Sequence, residues 1–305
     1  MSDLKLFRVI GGSVEELPAR TFALEKHLQE LIERNMVALF GTRFLASEYS
    51  TGAVHGGRID SLGLDENGSP VIFEYKRSSN ESVINQGLFY LDWLMDHRAE
   101  FEKLVTDVLG AQRAPDVDWR NPRLVCVAGD FTRYDEHAVR QINRSIDLVR
   151  YRDFNGELLA LELVTSRTAA VPAASQSPAV SGRTGTARKT VSDYLAQADG
   201  PLKDLYAALE SLVEGLGDDV TKKTLKDYFA FRRLKNFICV EVHPAKSSLL
   251  IFLKIDPATV SLEEGFTRDV SQIGHFGTGD LEVRIRTRAD LERAEPLIRR
   301  SYEVS

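Results

Sequence analysis

Cysteine is scarce in this 305-residue sequence: only Cys126 and Cys239 occur, each inside an apolar run. That excludes a disulfide scaffold, and no Cys/His spacing fits a zinc site. The two thiols read as buried and free in a reducing compartment, so a cytoplasmic location is expected. Long apolar stretches are also missing. Runs such as Leu249–Leu253 fall far short of the roughly 20 residues that a spanning helix needs, so no membrane partner is expected. The first residues lack a basic start followed by an apolar segment, so no secretion signal is expected. Neither a Gly-x-Ser-x-Gly elbow nor a Gly-Lys-Ser/Thr phosphate loop appears, and the six histidines show no metal-ligand spacing. Positive charge is not in excess either: 39 Lys and Arg stand against 45 Asp and Glu, a net charge of −6. A nucleic-acid partner would therefore have to be met by local patches or bound cations on an acidic background.

What is present is ordinary globular composition, 43% hydrophobic and 28% charged, with length enough for two domains. One composition break stands out. In residues 168–187, 16 of 20 are Ala, Ser, Thr, Pro or Gly, a stretch with little to bury. It divides the chain into a first domain at 1–167, a flexible linker at 168–189 and a second domain at 190–305.

The first domain alternates strand and helix patterns. Residues 4–10 read as a strand. Residues 22–40 have helical periodicity, with Thr21 as N-cap and Gly41 as stop. Strand patterns follow at 44–51, 57–64 and 71–76, the last two joined by a hairpin turn over the Asn67-Gly68 pair. One long or two consecutive helices cover 81–109, then come a strand at 123–129, a helix at 135–146 and a strand at 157–164. This order predicts an α/β fold with a mixed central sheet flanked by helices. The second domain reads as a smaller α+β module. It has helices near 190–196, 201–214 and 289–302 and strands at 237–243, 248–255 and 281–286.

The chemistry concentrates around the hairpin. Side chains alternate along a strand, so Glu74 and Lys76 share one face of 71–76. Asp60 lies on the partner strand, and opposed residues sit roughly 5 Å apart, so Asp60 and Glu74 can converge on one cation. A hard divalent ion such as Mg²⁺ (or Mn²⁺) takes oxygen ligands and keeps waters for a phosphate to displace. Lys76 beside it can orient a water and offset charge developing on a phosphate. Gln86 and Tyr90 are four apart, hence on one helix face, where they could hold a nucleic-acid backbone or steady the lysine. On a helical wheel with Leu24 at zero, Leu28, Leu31 and Ile32 form the apolar face; Glu25 flanks it at about 100° and Glu30 lies beyond at about 240°. Glu25 is the better inward-leaning acid, Glu30 the alternative.

The ordered set Glu25, Gly57-Arg58-Ile59-Asp60, Glu74-Tyr75-Lys76 and Gln86-x-x-x-Tyr90 resembles the PD-(D/E)XK nuclease superfamily, in its RecB-like branch with a Gln-x-x-x-Tyr motif. It is similar to the nuclease domain of archaeal and actinobacterial mismatch endonucleases over roughly residues 20–165. Ile59 stands where proline often precedes the first acid. The resemblance implies a restriction-endonuclease-like fold and a Mg²⁺-dependent deoxyribonuclease. Asp60 and Glu74 would bind the metal, Lys76 would serve the attacking water, and Glu25 would complete the acidic cluster. Gln86, Tyr90, Arg58 and Arg77 would contact nucleic acid. DNA is the implied partner, with RNA open, and a homodimer is compatible with the sequence. By the same analogy the role would be repair or defence against foreign DNA. The alternative is a nuclease fold that binds nucleic acid or a protein without catalysis. The second domain resembles an uncharacterised module found fused to such nuclease-like domains.

Two further patches have open readings. Tyr228–Phe237 interleaves aromatics with three cations, as in single-strand binders, or else is a strand entering the core. Arg133, Arg140, Arg144, Arg150 and Arg152 line a phosphate path or form a solvated face. His55 precedes the Gly57–Asp60 motif, as a loop residue or as one approaching the site. The glycine-rich segment 274–279 does not join a strand to a helix and is not read as a phosphate cradle.

Overall fold

Strand patterns, turn chemistry and parallel crossovers place the candidate site, and the computed structural model shows how. It describes residues 4–77, 82–111, 117–169 and 189–305, so residues 170–188 of the expected linker lie outside the described residues. The chain divides into two compact units, Met1–Ala170 and Val171–Ser305.

The first unit opens with a two-stranded hairpin, β1 (Leu6–Ile10) and β2 (Ser13–Leu17). The helix α1 (Glu25–Phe40) follows. Thr21 is not its N-cap: Leu24 occupies that position with extended backbone and no capping hydrogen bond, and Gly41 closes the helix in the left-handed conformation. The buried stripe is Leu28, Ile32, Met36 and Phe40, at i,i+4 spacing, together with Gln29; Leu24 itself is exposed.

Next come β3 (Thr42–Ser50), the short α2 (Gly52–His55), β4 (Arg58–Asp65) and β5 (Pro70–Lys76). The turn between β4 and β5 is closed by the Asp65 carboxylate, which accepts from Asn67 N and Ser69 N at 2.9 and 2.8 Å. Gly68 there has φ +78°, a conformation that favours glycine. Two helices, α3 (Ser82–Asp96) and α4 (Arg98–Leu109), then cross over to β6 (Arg123–Ala128). After α5 (Arg133–Gln141), β7 (Ser145–Phe154) and β8 (Leu158–Arg167) finish a six-stranded sheet of order β3-β4-β5-β6-β7-β8.

The sheet is mixed. β3, β4 and β5 are antiparallel, β5, β6 and β7 run parallel through helical crossovers, and β8 returns antiparallel. Phe40 of α1 packs edge-on against Phe73, with ring centroids 5.1 Å apart. Gly87 of α3 lies against Leu124. Phe73 and Leu124 belong to alternate rows of the ladder, so α1 and α3 cover opposite faces.

The helix read over 135–146 stops at Gln141, and β7 was not expected. A capping box between Thr132 and Asp135 starts α5, and Ile142 already has extended backbone. The pattern of β7 was hidden by charge. Its Ile146, Leu148, Val149 and Tyr151 are buried, as a strand covered on both faces requires, but Asp147 and Arg150 interrupt the run. Both are buried in ion pairs, Asp147 with Arg123 and Arg150 with Asp130 and Glu162.

The second unit contains α6 (Val191–Gln197) and α7 (Gly200–Glu214), followed by β9 (Thr221–Thr224), β10 (Phe229–Arg232), β11 (Asn236–His243) and β12 (Ser248–Leu253). β13 (Thr267–Asp269), β14 (Leu281–Ile285) and α8 (Arg288–Glu303) complete it. Its sheet is antiparallel throughout, ordered β13-β14-β12-β11-β10-β9. Phe229, Phe231 and Phe237 are buried in the core with residues of all three helices. The aromatic stretch is therefore strand entering core, and those rings are not presented for stacking on bases. Gly277 presses on Cys239, so that glycine serves packing. Among the described residues no helix is long and apolar enough to cross a membrane.

Candidate active site

Asp60 stands at the centre of the site because of sheet register. The β4–β5 ladder pairs Ser61 with Phe73, so the next positions outward are Asp60 and Glu74. There the ladder gives way to side-chain bonds. Asp60 N donates to Glu74 Oε1 at 3.3 Å, and Tyr75 N donates to Asp60 Oδ2 at 3.0 Å. The two carboxylates are thereby locked to each other's strands.

Their environments differ. Asp60 is half-buried, whereas Glu74 is 0% exposed and its Oε2 has no hydrogen-bond partner. Burial, then the neighbouring charge of Asp60, pushes the Glu74 carboxyl up to about 9. Burial also raises Asp60, opposed by the Tyr75 amide and by Lys76. A buried acceptor with nothing to accept from, beside a second carboxylate, is a donor set that suits a hard divalent cation. Among the described residues, no group of three or more His, Cys, Asp or Glu side chains is gathered tightly enough to hold a metal.

Lys76 ends β5 two residues beyond Glu74. Its Nζ lies 3.8 Å from Glu25 Oε2, and Glu25 Oε1 accepts from Arg77 N at 3.1 Å. Glu25 thus sits against the lysine and the end of β5. Glu30 instead pairs with Arg34 at 3.2 Å on the exposed side of α1. The Arg77 side chain is felt by the Tyr151 phenol and does not line the cleft beside Asp60.

That cleft holds about 680 Å³ and is lined by Glu48, Ser50, Arg58, Asp60, Gln86 and Tyr90, among others. Gln86 Nε2 donates to Tyr90 Oη at 3.2 Å, and Tyr90 Oη accepts from Arg58 N at 3.2 Å. The helix pair therefore fixes the start of β4. Gly57 permits it: a Cβ there would come within 2.6 Å of the Tyr90 ring. Thr51 holds the same loop, accepting from Gly57 N at 2.9 Å and donating to Gly57 O at 3.0 Å.

Five contributors escaped the sequence reading. Buried Gln29 reaches Asp60 O at 2.7 Å through Nε2, which is shared with Glu33 Oε1 and Ser47 Oγ. Ser61 Oγ donates to Glu33 at 2.6 Å and accepts from Tyr75 Oη, completing a polar tie from α1 to both strands. The signal was the i,i+4 series Glu25, Gln29, Glu33, a polar stripe beside the apolar one. Of the other two, Glu48 lines the cleft and Lys26 pairs with it. β3–β4 pairing of Ser47 with Ser61 and Tyr49 with Ile59 puts Glu48 across from Asp60.

Four of the five arginines in the series contact neighbouring groups. Arg150 is enclosed by Asp130 and Glu162, Arg152 donates to Gly129 O, Arg140 pairs with Glu136, and Arg133 lies over the Tyr134 ring. His55 packs near Phe89 and His97, at ring separations of 5.4 and 5.9 Å.

Residues 191–305 match a family described as a domain of unknown function (DUF5655). An uncharacterized protein of Haemophilus influenzae is 28% identical over 316 aligned positions, spanning 98% of this chain and 100% of that protein. Among solved structures, a repair endonuclease from Pyrococcus abyssi is 19% identical, with 45% of this chain and 51% of that chain covered and a TM-score of 0.29. A complex of EndoMS with double-stranded DNA is 20% identical at TM-score 0.25, covering 42% of this chain and 46% of that one. The chain thus spans about half the length of the solved proteins it resembles.

Proposed function

We propose that the first unit is a metal-dependent phosphodiesterase that cleaves DNA. The observation that carries this reading is the pairing of Asp60 with a fully buried Glu74 whose Oε2 lacks a partner, next to Lys76. Asp60 and Glu74 would hold Mg²⁺ or Mn²⁺. When bound, such an ion polarises a phosphoryl oxygen and lowers the pKa of a water.

The chain's own residues do the rest. Lys76, restrained by Glu25, presents a positive charge to the phosphate and orients the attacking water. Glu25, by pairing with that ammonium and with Arg77 N, fixes where the charge stands. Tyr90 and Gln86 hold the Arg58 backbone and keep the cleft wall in place, while Arg58 offers its guanidinium to the nucleic-acid backbone. Arg77 would contact a phosphate farther along the duplex.

The test is cleavage of labelled duplex DNA with Mg²⁺ or Mn²⁺ by wild type and Asp60→Asn, against a mock purification. Cleavage that depends on metal and vanishes in the variant is expected. Cleavage persisting in Asp60→Asn above the mock would refute the assignment. A parallel RNA digest reports which backbone is the substrate.

A further inference from the structure

Glu48 combines three features found together at no other residue of the cleft. Its backbone has φ +52° in the middle of strand β3, a conformation that L side chains rarely adopt. Among the described residues, the two other non-glycine positions with positive φ, Asn155 and Ser247, sit in turns between strands. Its carboxylate is divided between two cations from different elements. Oε1 lies 3.4 Å from Lys26 Nζ of α1, and Oε2 lies 3.5 Å from Arg58 Nη1 of β4. And its register position faces Asp60, which in turn faces Glu74, so three acids occupy consecutive positions across three strands.

Strain of this kind persists where the surroundings impose it, and it concentrates at ligand clamps. A carboxylate whose two oxygens answer a lysine and an arginine mimics the two non-bridging oxygens of a phosphodiester. Neither cation is deeply committed elsewhere. Lys26 makes one further contact, to Gln29 Oε1 at 3.3 Å, and both side chains are about half exposed or more.

We propose that Lys26 and Arg58 form a seat for a backbone phosphate beside the Asp60–Glu74 pair, and that Glu48 fills this seat as a stand-in anion until the phosphate displaces it. The seat rests on the phosphodiesterase reading for its purpose but not for its test. In the free protein Glu48 keeps both cations aimed at the rim. Its charge also bears on Asp60 and Glu74, raising both. Glu48 is a positioning residue, competing with substrate for the groups it orients.

The test is metal-free binding of a labelled DNA duplex in EDTA, read by anisotropy across a salt series. Glu48→Gln should bind about three- to tenfold tighter, the scale of losing two exposed ion-pair competitors. The double variant Lys26→Ala/Arg58→Ala should bind more weakly with a shallower salt slope, and adding Glu48→Gln to it should change nothing. Should Glu48→Gln fail to fold, Glu48→Gly, which suits the left-handed backbone, carries the same expectation. Equal or weaker binding by the Glu48 variant, or a gain that persists without Lys26 and Arg58, overturns the seat. Absence of binding by every form also overturns it. Because no cleavage is needed, an inactive wild type would sink the phosphodiesterase reading and leave this cycle to be judged by itself.

Discussion

Glu74→Gln in the metal-free protein converts the buried acid into a group that cannot titrate. The Glu74 carboxyl is raised from 4.5 to about 9, first by burial and then by Asp60. At pH 7 the folded protein keeps this group protonated, whereas the unfolded chain ionises it. A raised folded-state value means that the native state binds the extra proton. Its stabilising effect is therefore complete below pH 4.5 and is lost as pH climbs through 9. Across that window wild type loses about 1.4 kcal/mol per pH unit relative to the glutamine variant. At pH 7 the variant should be more stable by about 3 kcal/mol. Trp93 and Trp119 both lie in the first unit, so urea unfolding in EDTA followed by tryptophan fluorescence reports this unit alone. Asp60→Asn should bring the upper end of this pH window below 9, since it removes the second cause of the shift. An advantage of Glu74→Gln that stays constant from pH 5 to 9, or that is absent at pH 8, would refute the reasoning.

Other substitutions probe separate links. Gly57→Ala drives a methyl group into the Tyr90 ring and should cost about 1–3 kcal/mol in urea unfolding, with cleavage falling alongside. Arg123→Ala leaves the buried Asp147 charge unpaired and should cost about 3–5 kcal/mol; joint replacement with apolar residues should recover most of it in the same assay. Lys76→Ala should slow single-turnover cleavage about 100- to 1,000-fold while leaving Mn²⁺ affinity nearly unchanged.

The sequence exposed the part of the site that local rules govern. Strand alternation and the Asn67-Gly68 turn were enough to bring Asp60 opposite Glu74, because register in a hairpin follows from its turn. Helical spacing likewise paired Gln86 with Tyr90. Residues reached through a third strand were not legible. Glu48 faces Asp60 only after a bulge between Phe44 and Ala46 shifts the β3–β4 register, and nothing in the residues themselves announces a bulge there. The role of Gln29 depends on the strands it ties, and helical spacing alone does not place them. β7 was lost because its buried ion pairs read as solvent-facing charge, and β9 and β13 because strands of three or four residues give too short a period to detect.

Calorimetric titration of Mn²⁺ into wild type, Asp60→Asn and Glu74→Gln bears most directly on whether these two carboxylates form a cation site. One binding event in wild type, abolished or weakened at least tenfold in each variant, is the predicted result. Binding in all three with the same affinity, or in none, contradicts it.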